Sequence, residues 1–316
     1  MITFEQVTKS YDGTSNVVED VSFTIDEGEF FVLIGPSGCG KTTTLKMINR
    51  LIPLTDGTIR IGDKRISDYP IHELRRQIGY VLQQIALFPH MTIEENIAIV
   101  PELKQWEKGR IGERVTELLT MTGLDPETYR NRRPSELSGG QQQRVGVVRA
   151  LAADPDIVLM DEPFSALDPI SRLKLQEDLL HLQRTIRKTI VFVTHDIQEA
   201  LKLGDRICIM KDGTIEQLGT PAEILAAPAT PFVKEFTGSH GTRPFVLRDY
   251  MQPVRAGSPV GEHSIGLDAD WSTVLDALQS EDAVYVTDSS GQTAGILTRS
   301  AVFDYLATLE RERTVT

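Results

Sequence analysis

The 316-residue chain contains only two cysteines, Cys39 and Cys208. Two thiols cannot build a disulfide framework, and so low a number is ordinary in a reducing compartment. The amino terminus, MITFEQVTKS, has no basic segment ahead of an apolar run, so no signal peptide is expected. The longest stretch without Asp, Glu, Lys or Arg runs from Gln77 to Ile93 and includes Gln83, Gln84, Pro89 and His90. These polar residues exclude a membrane span, which needs about 20 apolar residues. Positive charge is also in deficit, with 33 Lys and Arg against 45 Asp and Glu and a formal net charge of −12. That argues against a surface that neutralises a phosphate backbone throughout, a local basic patch staying open, and no nucleic-acid partner is expected. The chain is expected to be soluble by itself, held by other chains if it works at a membrane.

What is present is a globular composition, 40% apolar and 25% charged. At about 100–200 residues per domain the length predicts two domains. Texture changes near residue 240: lysine stops at Lys234, and every basic residue after His240 is an arginine. Gly238, Gly241, Pro244, Pro253 and Pro259 mark a linker. The expected division is a first domain over 1–236, a linker over 237–257 and a small domain over 258–316. In the first domain, Ile2–Val7 and Val17–Ile25 alternate as strands do, and Phe30–Ile34 reads as a buried strand. Strand-like Ile157–Met160, Ile190–Val193 and Ile207–Met210 alternate with helix-like Gln141–Ala152, Ser171–Arg184 and Ile197–Leu203. That alternation predicts an α/β fold with a mostly parallel sheet. The polar stretch 94–134 reads as an inserted helical subdomain.

Three segments carry chemistry. Gly35-Pro36-Ser37-Gly38-Cys39-Gly40-Lys41-Thr42 fits the pattern G-x-x-x-x-G-K-[ST] between a predicted strand and a predicted helix. Glycines let successive backbone N–H groups converge on an anion, with Lys41 reaching the β- and γ-phosphates and the Thr42 hydroxyl placed for Mg²⁺. The helix that follows turns its amino terminus, with Thr43, toward the same phosphates. Apolar Ile157–Met160 ends in Asp161 and Glu162, at the carboxyl end of a strand where ligands bind in open α/β sheets. Asp161 is the expected Mg²⁺ ligand and Glu162 the expected general base for an attacking water. Leu137-Ser138-Gly139-Gly140-Gln141 opens a further predicted helix, a second anion-binding amino terminus. Cys39 reads as a small filler inside the loop and Cys208 as a core residue.

With its LSGGQ segment between loop and acidic strand, the sequence resembles the ATP-binding-cassette (ABC) ATPases over roughly its first 236 residues. The resemblance implies a P-loop NTPase cassette, a mixed sheet with a helical subdomain, that binds ATP and Mg²⁺. It assigns Tyr11 to adenine stacking and Gln83 to the Q-loop, which senses the γ-phosphate and Mg²⁺ beside the permease contact. Ser165-Ala166-Leu167-Asp168 matches the D-loop at the dimer interface, and His195 matches the switch histidine on the γ-phosphate. The implied partner is a second copy, head to tail, whose Ser138, Gly139, Gly140 and Gln141 cover the ATP held by Gly35, Ser37, Gly38, Cys39, Gly40, Lys41, Thr42 and Thr43. Catalysis then falls to Glu162, His195, Lys41 and Gln83.

Repair-type cassettes carry a long coiled coil between loop and signature, and ribosome-acting types fuse two cassettes; this chain has neither. Transport is favoured, with integral-membrane permease subunits in separate chains, an extracytoplasmic substrate-binding protein beyond them, and the cassette peripheral on the cytoplasmic face. The run from Leu87 to Leu103, LFPHMTIEENIAIVPEL, looks most like importers of glycine betaine, carnitine and choline. An amino-acid or ion importer, or a soluble ABC ATPase without permease, stays open. In the tail, Ala283–Thr287 and Ala294–Leu297 read as strands about a turn at Asp288–Gly291, and Thr298 is placed to cap a helix carrying Val302, Phe303 and Leu306. This β-turn-β-helix order, with Gly295-Ile296-Leu297-Thr298, resembles a single CBS (cystathionine-β-synthase) motif. The family pairs two such motifs and has a nucleotide-binding Asp where Ala301 stands. Nucleotide binding, ionic-strength sensing and dimer support are the open roles of this tail.

Overall fold

The computed structural model describes residues 1–165, 167–238, 247–252, 263–267, 269, 271–288 and 292–304. Along the chain the cassette elements are β1 (Ile2–Ser10), β2 (Asn16–Ile25), β3 (Phe30–Ile34), α1 (Lys41–Ile48), β4 (Asp56–Ile61), β5 (Lys64–Arg65), α2 (Ile71–Gln77) and β6 (Ile78–Val81). There follow α3 (Ile93–Leu103), α4 (Lys108–Met121), α5 (Pro126–Tyr129), α6 (Gly139–Leu151), β7 (Ile157–Asp161), α7 (Pro169–Ile186), β8 (Thr189–Thr194) and α8 (Ile197–Leu203). The cassette ends with β9 (Arg206–Lys211), β10 (Thr214–Gly219), α9 (Pro221–Ala226) and α10 (Pro231–Gly238).

Two sheets result. One is four-stranded and antiparallel, in the order β2-β1-β4-β5. The other has six strands in the order β10-β9-β3-β8-β7-β6, parallel except for β10. Every residue of β3, β7 and β8 is buried, as parallel strands covered on both faces must be, which is why their sequences are unbroken apolar runs. Strands β4, β6 and β10 were not anticipated from the sequence; β4 and β10 are mostly half-buried without alternation, and β6, largely buried, is only four residues long. Stretch 94–134 is helical as expected, and Thr92 starts α3 with a reciprocal capping box to Glu95.

The core between the sheets is built on phenylalanine. Phe4 and Phe23 stack with centroids 4.3 Å apart, and Phe23 stacks on Phe31 at 5.2 Å. Phe23 thus joins an antiparallel strand to the central parallel one, with Leu45, Met47 and Ile48 of α1 in the same cluster. Aromatic pairs of this kind add to plain area burial.

The chain divides into two compact units, Met1–Leu167 with Asp178–Ser239, and Asp168–Glu177 with His240–Thr316. The second unit holds α11 (Leu247–Tyr250), β11 (Ser264–Gly266), α12 (Trp271–Ser280), β12 (Ala283–Thr287) and β13 (Thr293–Thr298). Strand β12 pairs parallel with β11 and antiparallel with β13, and residues 299–304 are helical. Thr298 caps that last helix as its sequence suggests, its Oγ1 accepting the Ala301 N–H at 3.1 Å. A Cβ on Gly295 would crowd Gln252 O at 3.0 Å, on the segment bridged to β13. Arg299 donates to the carbonyls of Leu278, Gln279 and Glu281, closing the carboxyl end of α12. Leu306, expected on the final helix, and most of the expected linker lie outside the described residues.

Phe23→Ala should lower the unfolding free energy by about 3–5 kcal/mol, the usual cost of removing a buried aromatic ring, as read from urea denaturation.

Candidate active site

Parallel register brings the site together. Ile34 pairs with Thr194, and Val193 with Asp161, so β3, β8 and β7 end level with one another. Val81 pairs with Met160 on the far side of β7. The phosphate loop, His195, the Asp161-Glu162 pair and Gln83 therefore leave four neighbouring strands at one sheet edge.

The loop is shaped by its glycines. Gly38 and Gly40 have φ of 81° and 100°, a region that favours glycine. At Gly40 a Cβ would also meet Val17 O at 2.6 Å. Pro36, Ser37 and Gly38 are exposed, whereas Cys39 and Gly40 are buried. Lys41 Nζ lies within the loop and donates to Gly35 O at 2.7 Å and Pro36 O at 2.8 Å. Cys39 Sγ lies 3.8 Å from that amine, and burial pushes the thiol pKa up, so it is a packed filler as expected. Cys208 is wholly buried on β9. Thr43 is half-buried in the first turn of α1.

Thr42 Oγ1 donates to Asp161 Oδ1 at 2.7 Å, so two of the three expected Mg²⁺ ligands stand side by side, whereas the third, Gln83, donates to Glu162. Asp161 is buried, and its Oδ2 lies 3.8 Å from Lys46 Nζ and 3.4 Å from the Tyr80 hydroxyl. A hydroxyl and a carboxylate at the mouth of a phosphate loop are the hard oxygen donors that Mg²⁺ takes, with phosphate and water completing its shell. The residues fit that ion. Lys46 and Tyr80 were not anticipated; the only signal is the position of Lys46 on α1, five residues beyond Lys41.

Glu162 is the second hub. It sits at a left-handed φ of 44°, and its N–H donates to Val193 O at 3.0 Å. Gln83 Nε2 donates to Glu162 Oε2 at 3.3 Å, and His195 Nδ1 lies 3.3 Å from the same oxygen. The hydrogen bond and charge of His195 hold the Glu162 carboxyl below its ordinary 4.5, against the opposing effect of burial. The same bond, opposed by burial, holds the imidazole above its ordinary 6.5.

The other expected residues lie apart from this cluster. Tyr11 is 61% exposed, with Lys9 Nζ 4.9 Å above its ring. Ser138 is the N-cap of α6: its hydroxyl accepts the Gln141 N–H at 3.3 Å, while Gln141 Oε1 accepts the Ser138 N–H at 2.9 Å. Gln141 also donates to the Tyr129 hydroxyl, so its side chain supports the helix start. Nothing lies within 4 Å of a Cβ placed on Gly139. Among the described residues no hydrogen bond joins Ser138, Gly139 or Gly140 to the phosphate loop. Asp168 Oδ1 accepts the Ser171 N–H at 3.1 Å at the start of α7; Ala166 lies outside the described residues.

Residues 18–165 match the family described as ABC transporter. Over 304 residues, 94% of this chain and 97% of the relative, the sequence is 44% identical to the glycine betaine uptake system ATP-binding protein YehX of Escherichia coli (strain K12). The chain belongs to the ABC transporter ATP-binding family. The cassette is also 58% identical over 238 residues to the glycine betaine/carnitine/choline transport ATP-binding protein OpuCA of Bacillus subtilis (strain 168), covering 75% of this chain and 62% of that one. With the osmoprotectant import ATP-binding protein OsmV of Salmonella typhimurium it shares 52% over 246 residues, 77% of this chain and 64% of that one. It thus spans less than two thirds of the length of these two relatives. Among solved structures it is similar to the dimeric cassette MJ0796 in a post-hydrolysis state bound to ADP and Pi, at 38% identity and TM-score 0.63, over 70% of this chain and 99% of that one.

The Glu162–His195 pair sets a pH window. The lowered Glu162 contributes stability above 4.5 that is lost as pH falls through its folded value. The raised His195 contributes below 6.5, and that share is lost as pH rises through its folded value. Both shares are small because the imidazole is largely exposed. In an NMR titration His195 should titrate above 6.5 in the wild type and move down in Glu162→Gln.

Proposed function

We propose that the chain is the ATP-hydrolysing subunit of an ABC importer for quaternary-amine osmoprotectants of the glycine betaine, carnitine and choline class. The observation that carries the chemistry is the convergence of the phosphate loop, Thr42–Asp161 and the Gln83–Glu162–His195 cluster on one sheet edge. The substrate class rests on relatives named for osmoprotectant transport.

On this reading the N–H groups of Gly38, Gly40, Lys41 and Thr42 cradle the ATP phosphates, and Lys41 turns its amine from the loop carbonyls to them. Thr42 and Asp161 hold Mg²⁺, which when bound neutralises phosphate charge. Glu162, kept ionised by His195, accepts the proton of the attacking water, and Gln83 and His195 fix its carboxylate and the γ-phosphate. Tyr11 offers its exposed ring to adenine. Ser138, with Gly139 and Gly140, presents a capped helix start to the ATP of a second copy, and Asp168 lies at that interface.

The membrane partner has a candidate seat. A cavity of about 390 Å³ is lined by Tyr80, Leu82, Phe88, Val100, Arg76 and Arg149, among others. Phe88 and Leu82 are exposed there, and Arg149 Nη1 is tied to Ala86 O beside the Q-loop. Apolar side chains ringed by arginine suit an acidic, amphipathic loop of a permease. On this reading the cassette works from the cytoplasmic face through that permease, with an extracytoplasmic binding protein delivering solute; no described helix is long and apolar enough to cross a membrane. The tail serves as a single CBS-like regulatory module.

Glu162→Gln should bind ATP as wild type but turn it over about 10²–10⁴-fold more slowly, the share a general base supplies; near-normal turnover would remove Glu162 from that role. Cells or vesicles carrying the whole transporter should take up labelled betaine, carnitine or choline in an ATP-dependent way, and uptake of none of them would overturn the solute class.

A further inference from the structure

Glu199 is a carboxylate at 5% exposure in a helix that holds none of the expected site residues. A buried carboxylate is retained only where partners stabilise it. Thr194, itself 2% exposed, donates its hydroxyl to Glu199 Oε2 at 2.5 Å. With its proton committed to the carboxylate, Thr194 Oγ1 accepts the N–H of Asp196 at 3.0 Å. Asp196 in turn caps α8, its Oδ1 accepting the Gln198 N–H at 2.8 Å. Thr194 is the last residue of β8, in register with Ile34 just before the phosphate loop.

The residue enclosed by this chain of bonds is His195. Its backbone is bracketed by Thr194 and Asp196, whereas its side chain is 63% exposed and places Nδ1 3.3 Å from Glu162 Oε2. With most of the imidazole in solvent, the backbone that carries it has the larger part in setting its direction.

We propose that Glu199 is the positioning residue for His195: through the Thr194 hydroxyl it fixes the 194–196 turn so that the imidazole stands over Glu162. This rests on the role given to His195 in the function proposed above. The strand supplies the height of the turn, and the Glu199–Thr194–Asp196 relay supplies its angle. A hydroxyl is required at 194 because one group has to donate to the carboxylate and accept from the amide at once, which valine cannot do.

The test is steady-state ATPase kinetics on the purified full-length chain. Thr194→Val and Glu199→Ala should each lower kcat about tenfold, the scale of a small misplacement of a catalytic group, with KM for ATP within about twofold of wild type. Glu199→Gln keeps an oxygen acceptor for the Thr194 hydroxyl and should retain most of kcat. The double variant Thr194→Val/Glu199→Ala should fall no further than either single one, because both break one relay. Unchanged kcat in Thr194→Val, additive losses in the double variant, or a Glu199→Gln as slow as Glu199→Ala would each overturn the proposal. If Glu199→Ala does not fold, the near-isosteric Thr194→Val and the conservative Glu199→Gln decide it. His195→Ala separates the two levels: a His195→Ala chain with full kcat removes the role of His195 itself, whereas loss there with an intact Thr194→Val removes only the relay.

Discussion

The in-register pairing of β3, β8 and β7 is the constraint on which the site depends. Three segments far apart in sequence end level because Ile34 faces Thr194 and Val193 faces Asp161. A slip of one residue in any pair would turn every side chain of that strand to the other face. Complete burial of all three strands makes such a slip costly, since the faces they present pack on different layers. The apolar runs that make these strands unremarkable are therefore what fixes the phosphate loop, the acids and the histidine to within a hydrogen bond of one another.

Around that edge the chain places its charges economically. Asp161 is buried against Thr42, Lys46 and Tyr80, while Glu162, one residue on, turns out of the strand through a left-handed φ and meets Gln83 and His195. Adjacent carboxylates would otherwise repel; the turn sends them to opposite tasks, one suited to a cation and one to a proton. A bulkier environment at Glu162 would raise its pKa, and the histidine offsets this.

Much of this was legible in the chain. Gly35–Thr42, Ile157–Glu162 and Leu137–Gln141 each joined a residue pattern to a predicted strand end or helix start, and the elements appear within a few residues of their expected bounds. Among the elements that escaped, β4, β6 and β10 lack a clear pattern of their own and are held by pairing with their neighbours in the sheets. The same holds for side chains. Lys46, Tyr80 and Glu199 act through a partner from a distant segment or, for Glu199, from across a turn, and a single charged residue on a helix reads as a solvated face until its partner is known. Gln141 is the converse case, a member of a recognised motif whose side chain is spent on capping its own helix.

The tail shows how a short segment reaches a stable core. Units of well under a hundred residues bury too little apolar surface to be comfortable on their own. The second unit supplements Val274, Leu278, Val284, Val286, Leu297 and Val302 with Leu173 from the first turns of α7, and ties Lys174 to Asp276 at 2.6 Å. That ion pair is partly exposed, so its contribution is small and screened by salt, and Leu173 supplies the greater share. Helix α7 is consequently divided: its first turns, to Glu177, belong with the tail, and from Asp178 onward it belongs with the cassette, where Asp178 lies 3.2 Å from Arg144 of α6.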